Sequence, residues 1–356
     1  DVLFNGDRTP AAYAFRVAGL RPLTPEHREA LAFVNGTSAM TAIAALNASD
    51  AQRALHLAMR NTVLYAELME GQREAFDPRF AEVRPHAGQQ WATAELNRLC
   101  ADSRRLQGRK ARFVRPEMFR SSSVSPGNLA PQDPYTIRCA PQIFGAIADV
   151  LTFHKTIVEV ELNSVTDNPI FLDDEVLHGG NFYGQHVAFA SDALMTAIVK
   201  MAVHSERRIA RITDESLNRG LPAFLHVNQP GLHSGFMGVQ LTASGIVAEM
   251  RSKCVPASIQ SIPTSANNQD VVSMGTMAAR RTAELIDHLY DLLAIEALVM
   301  VQGLDICDGF EGPDFAKSSC KLALFVRNVS PFLGYDRPLH SDIAQLSARL
   351  RTSAAF

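Results

Sequence analysis

Two long helical stretches constrain this chain more than anything else in it. The first runs without proline from Phe182 to Asn218, with Val187, Leu194, Ile198, Met201, Ile209 and Ile212 recurring near the helical period. As one helix it would be about 54 Å long. The second runs from about Asn268 to Asp305, with Val271, Met274, Ala278, Leu285, Leu289 and Leu292 on one stripe. From Leu292 to Met300 it is apolar almost all round, broken only by Glu296, the signature of a helix buried on every side. Such helices predict an all-α fold, an elongated bundle with few short strands. They also predict oligomerisation, because a lone chain can hardly cover so much apolar helix.

Other helices fit residues 25–47, 87–103, 134–163, 232–254, 314–329 and 339–350. Ser49-Asp50-Ala51-Gln52 has a capping-box pattern that would open a helix reaching about Gly71. Val2 to Asp7 reads as a short strand and turn, and the chain opens there without Met, like the middle of a protein. No internal repeat or domain boundary is visible, so residues 1–356 read as the core and C-terminal part of a single large helical domain.

The bulk numbers exclude some classes. Net charge is −3 with no basic block, which argues against nucleic acid and anionic membrane partners. Cys100, Cys139, Cys254, Cys307 and Cys320 are scattered, with no C-x-x-C, which fits a reducing compartment. The richest apolar run, Leu292 to Val301, is too short to span a bilayer. A cytoplasmic setting is expected.

Walker, zincin, G-x-S-x-G and Rossmann signatures are all missing. The chemistry lies in smaller clusters. In Gln132-Asp133-Pro134-Tyr135-Thr136-Ile137-Arg138, Asp133 reads as an N-cap and Pro134 as the first helical residue. Tyr135 and Arg138 then share a face near a positive helix end, where a carboxylate would sit. The loop before it, Arg120 to Asn128, has a composition suited to a lid. Val34 to Ser38, Thr166 to Pro169 and Ser265 to Asp270 offer uncharged amides at helix starts or breaks, and Asn181 reads as the N-cap of the first long helix. Each cluster alone is also an ordinary cap or turn.

Taken in order, Asn35-Gly36-Thr37-Ser38, Gln132 to Cys139, Glu161-Leu162-Asn163-Ser164 with Asp167-Asn168-Pro169, Gly180-Asn181-Phe182-Tyr183-Gly184 and Asn268-Gln269-Asp270-Val271 resemble the histidine and aromatic amino acid ammonia-lyases and the related 2,3-aminomutases. The resemblance covers essentially the whole chain. It implies a homotetramer with active sites shared among subunits, acting on a small-molecule substrate, an α-amino acid from which ammonia is eliminated. It also implies MIO, an electrophilic methylidene-imidazolone formed from an internal Ala-Ser-Gly, and no metal. Carried over, Arg138 would bind the substrate carboxylate with Asn168 assisting and Gln132 close by. Tyr135 would lie against the electrophile and the reacting carbon. Asn35 would hold the imidazolone oxygen or the amine, Phe182 would wall the side-chain pocket, and Gln269 would face the ring.

The sequence also departs from that family. Its Ala-Ser-Gly and its loop tyrosine base lie upstream of the Asn-Gly-Thr motif, and neither precedes Asn35 here. Ala243-Ser244-Gly245 reads as a decoy, because it falls inside a helical run and Ile246 follows it. Histidine lyases of the family carry a glutamate where Gln269 stands. The neutral amide favours phenylalanine or tyrosine, with histidine ammonia-lyase as the alternative. A reading of another class is a truncated homologue acting as a non-catalytic assembly subunit.

Overall fold

The computed structural model describes residues 1–106, 108, 132–229, 231–307 and 314–353, so the expected lid segment, Arg120 to Asn128, lies outside the described residues. The fold is predominantly α-helical with few short strands, as expected. Chain contacts divide it into two compact units, residues 1–38 with 165–183 and residues 39–164 with 184–356.

In the first unit β1 (Val2–Phe4) pairs antiparallel with β2 (Asp7–Thr9). Asn5 (φ 54°) and Gly6 (φ 91°) both take the left-handed conformation that a two-residue hairpin demands. Helices α1 (Ala11–Val17) and α2 (Glu29–Val34) follow. A second hairpin joins β3 (Ile170–Leu172) to β4 (Glu175–Leu177).

The second unit contains α3 (Ser38–Leu68, whose first residue belongs to the first unit), α4 (Pro78–Glu82), α5 (Ala87–Leu99), α6 (Tyr135–Arg138) and α7 (Ala140–Leu162). It continues through α8 (Gln185–Thr213), α9 (Met237–Lys253), α10 (Gly275–Cys307), α11 (Lys317–Arg327) and α12 (His340–Thr352). The two expected long helices are α8 and α10. Helix α8 packs along α10, which also carries α12, and α7 lies against α5 and α8. Every residue from Leu292 to Met300 is at most 1% exposed, as the all-round apolar pattern predicts. Burying each Leu or Ile there contributes about 1.5–3 kcal/mol. Polar pins fix α3 to α10: Asn47 Nδ2 donates to the Ala279 carbonyl (2.8 Å) and Tyr290 Oη to the Asp50 carbonyl (2.9 Å). Helix α8 is long and apolar enough to cross a bilayer, but 67% of its most apolar window is buried inside the protein.

Several helix boundaries differ from the sequence expectation. Ser49 and Asp50 start no helix: α3 runs through them. Ser49 Oγ accepts from Arg53, and Asp50 is paired with Arg53 and Arg351, so neither side chain caps a backbone N–H. The helix expected over 25–47 is interrupted at Asn35, which is extended (φ −92°, ψ 173°), and at Gly36, which is left-handed (φ +75°). The helix expected over 134–163 is two helices separated at Cys139 (φ −102°, ψ 10°), where the proline in the first turn of α7 cannot supply an N–H to the turn before it. Pro134, not Asp133, occupies the N-cap of α6. The Asp133 carboxylate instead accepts from the Gln72 backbone N–H at 2.6 Å. Gly184, not Asn181, is the N-cap of α8, and Asn181 Nδ2 donates to the Val165 carbonyl.

One buried group ties this packing to pH. His154 on α7 is fully buried with neither ring nitrogen hydrogen-bonded, and desolvation lowers its pKa from 6.5 to about 4. The unfolded chain therefore takes up this proton first as pH falls. The stabilisation is whole above pH 6.5 and declines as pH drops towards 4. His154→Leu is expected to shrink the fall in Tm between about pH 7 and about pH 5. Melting curves at the two pH values check this; an unchanged fall would contradict it.

Candidate active site

The four-residue helix α6 presents the phenol and guanidinium together. Arg138 Cζ lies 4.8 Å from the centroid of the Tyr135 ring, which is the shared face expected of residues three apart. Tyr135 is 68% exposed, while Ile137, two residues on and facing the other way, is fully buried. Arg138 Nε donates to the Asp133 carbonyl at 3.3 Å, which leaves the two terminal nitrogens as a fork. Among the described residues no carboxylate pairs with Arg138. A cation with no counter-ion among the described residues, beside an exposed aromatic ring, is chemically suited to an aromatic carboxylate.

Two amide clusters lie in the first unit. At Gly36 a Cβ would stand 2.2 Å from the Thr166 carbonyl oxygen, so no other residue fits without moving the chain. Together with its left-handed φ this holds the half-buried Asn35 at a fixed turn against Thr166. Asn168 is gripped twice: Arg28 Nη2 donates to its carbonyl (2.5 Å), and its Oδ1 accepts from the Gly179 N–H (2.7 Å). Its Nδ2 amide makes no hydrogen bond among the described residues. Phe182, 37% exposed, lies in the turn before α8. Arg28 was not legible as a site residue, because its partner is 140 positions away.

In the second unit Gln132 and Gln269 are exposed. Gln269 forms an isolated bridge with Thr264, whose hydroxyl donates to Gln269 Oε1 at 2.7 Å. Ser265, Ala266 and Asn267 just before it have φ of 48°, 52° and 64°. Left-handed non-glycine residues cost about 1–3 kcal/mol each, and such strain gathers at ligand sites. Asn267 is of a type that favours this conformation, but Ser265 and Ala266 are not.

Ala243-Ser244-Gly245 lies within the regular helix α9, with Ser244 Oγ donating to Glu206 Oε1 (2.9 Å) and accepting from Gln240 Nε2 (3.0 Å). Backbone cyclisation needs a compressed turn and a free serine side chain, and neither is found there. Among the described residues no His, Cys, Asp or Glu group converges as a metal site.

By fold, then, the chain is an all-α bundle protein presenting a tyrosine–arginine turn and uncharged amides. It belongs to the aromatic amino acid lyase family, whose model matches residues 1–324. A tyrosine ammonia-lyase of Cereibacter sphaeroides is 46% identical over 97% of this chain and 66% of its own length. A histidine ammonia-lyase of Symbiobacterium thermophilum is 40% identical over 98% of this chain and 64% of its own length. Among solved structures, the tyrosine aminomutase of Streptomyces globisporus superposes with a TM-score of 0.90 at 34% identity, covering 98% of this chain and 66% of that one. The chain thus spans about two thirds of the length of these relatives.

Proposed function

We propose that this chain is the core and C-terminal part of an aromatic amino acid ammonia-lyase or 2,3-aminomutase, acting on tyrosine or phenylalanine. The observation that carries the reading is the α6 turn, where an exposed phenol stacks on a guanidinium with no carboxylate partner among the described residues. The high identity to a tyrosine ammonia-lyase supports the substrate class, and the neutral Gln269 suits a phenyl or phenol ring. The protein works as a cytoplasmic homotetramer with shared sites.

Arg138 binds the substrate carboxylate through its terminal nitrogens, with the Asn168 Nδ2 amide assisting and Gln132 near the same end. Tyr135 sets its Oη beside the reacting carbon as the hydrogen-bonding or proton-transfer group. Phe182 walls the ring pocket and Gln269 faces the ring. The prosthetic group this reading implies is an MIO, whose Ala-Ser-Gly precursor is expected upstream of the Asn35 motif. When present it supplies an electrophilic carbon for the substrate amine. Asn35 fits that group: an uncharged amide on a turn locked by Gly36 can donate to an imidazolone oxygen and stabilise negative charge that develops there.

Arg138→Ala is expected to raise KM for tyrosine by about 10–100-fold, the worth of one hydrogen-bonded charge, with a smaller effect on kcat. Steady-state kinetics of the full-length protein check this. An unchanged KM would move the carboxylate site elsewhere.

A further inference from the structure

Helix α6 has only four residues, so most of its carbonyls have no partner within it. One of them, Thr136 O, receives His204 Nε2 of α8 at 3.0 Å. On the other side of that ring, Arg208 Nη1 lies 2.6 Å from His204 Nδ1. A guanidinium carries only donors, so Nδ1 must be the acceptor and the ring proton must sit on Nε2. Both contacts are then satisfied by one neutral tautomer, and by no other state of the ring. Arg208 is anchored in turn. Its Nε donates to Glu296 Oε1 of α10 (2.5 Å), both side chains are 0% exposed, and Glu296 Oε2 also accepts from Ser205 Oγ (2.6 Å) and Asn61 Nδ2 (3.1 Å). The His204 ring is 4% exposed and packs edge-on against Phe144 at 5.2 Å. Thr136 is held once more by its hydroxyl, which donates to Tyr65 Oη of α3 (3.4 Å).

We propose that His204 is a positioning residue of the candidate site: a neutral imidazole that ties the carbonyl of Thr136, and with it the Tyr135–Arg138 turn, to the buried Arg208–Glu296 pair. The inference rests on the reading of Tyr135 and Arg138 as substrate-contacting groups. Thr136 stands between them, so a loosened Thr136 carbonyl lets both side chains drift. Burial, reinforced by the Arg208 cation, holds the His204 pKa well below its ordinary value, which keeps the ring in the neutral form the geometry needs.

The test uses the full-length protein with His204→Phe, which keeps the ring and removes both nitrogens, and His204→Gln, whose amide can donate to Thr136 O while accepting from Arg208. Two readouts are taken. Hydrogen exchange followed by mass spectrometry is expected to show faster exchange over residues 135–139 in His204→Phe, by about 10-fold, with α10 unchanged and His204→Gln like wild type. In kinetics with tyrosine or phenylalanine, His204→Phe is expected to raise KM and lower kcat, with kcat/KM down about 10–100-fold and His204→Gln restoring most of it. A residue that merely fills space would lower the active fraction and leave KM unmoved. Equal behaviour of the two variants, or wild-type exchange in His204→Phe, would overturn the inference. Should His204→Phe not fold, His204→Asn replaces it: its amide is too short to reach both partners, so it must show the faster exchange that His204→Gln does not. A wild-type protein inactive on tyrosine and phenylalanine overturns the functional reading alone, because the exchange contrast stands or falls without it.

Discussion

Replacing Tyr135 with phenylalanine is expected to lower kcat by about 10²–10⁴-fold, the range of a positioned proton-transfer group. The substitution removes one oxygen and keeps the ring, so the stack with Arg138 at 4.8 Å survives and KM should change little. Nor should folding suffer: the residue is 68% exposed, and no hydrogen bond from its hydroxyl to the described residues is lost. Kinetics and a melting curve on the same preparation separate the two effects. A variant with intact kcat would show that the phenol does no chemistry and that the assigned site is wrong.

The second large effect is on stability. Glu296→Ala is expected to cost about 3–5 kcal/mol, because it leaves a buried guanidinium without its counter-ion. Arg208 and Glu296 are both 0% exposed, and Ser205 and Asn61 lose their acceptor at the same time. Arg208→Met combined with Glu296→Leu should recover much of that loss, since apolar pairs of similar volume replace buried ion pairs at little cost. The double variant also removes the Arg208 partner of His204, so stability should return while KM rises above that of wild type. Denaturant midpoints for the single and double variants decide the first point. A single variant within about 1 kcal/mol of wild type would mean that water reaches the pair.

What was legible in the sequence follows from what is local. The stripes of α8 and α10 and the all-round burial of Leu292 to Met300 are periodic signals, and they predicted the bundle. The shared face of Tyr135 and Arg138 also depends only on spacing. The boundary errors come from competition between local rules and distant partners. Asp133 has the chemistry of an N-cap, yet its carboxylate is taken by Gln72 N–H, 61 residues away. Ser49 and Asp50 mimic a capping box but sit mid-helix, occupied by Arg53 and, for Asp50, by Arg351, 301 residues away. In the left-handed run Ser265 to Asn267 only Asn267 is of a type that favours that conformation, so the strain at Ser265 and Ala266 is revealed by the fold alone. His204 and Arg208 share a helix face by spacing alone, but the roles of Thr136 and Glu296 come from packing of α6 and α10 on α8.

The measurement that tests the central claim most directly is product analysis. The full-length protein is incubated separately with L-tyrosine, L-phenylalanine and L-histidine, and the products are resolved by chromatography with mass detection. The account predicts an arylacrylate with released ammonia, or the corresponding β-amino acid, from tyrosine or phenylalanine. Urocanate from histidine alone, or no product from any of the three, would contradict it.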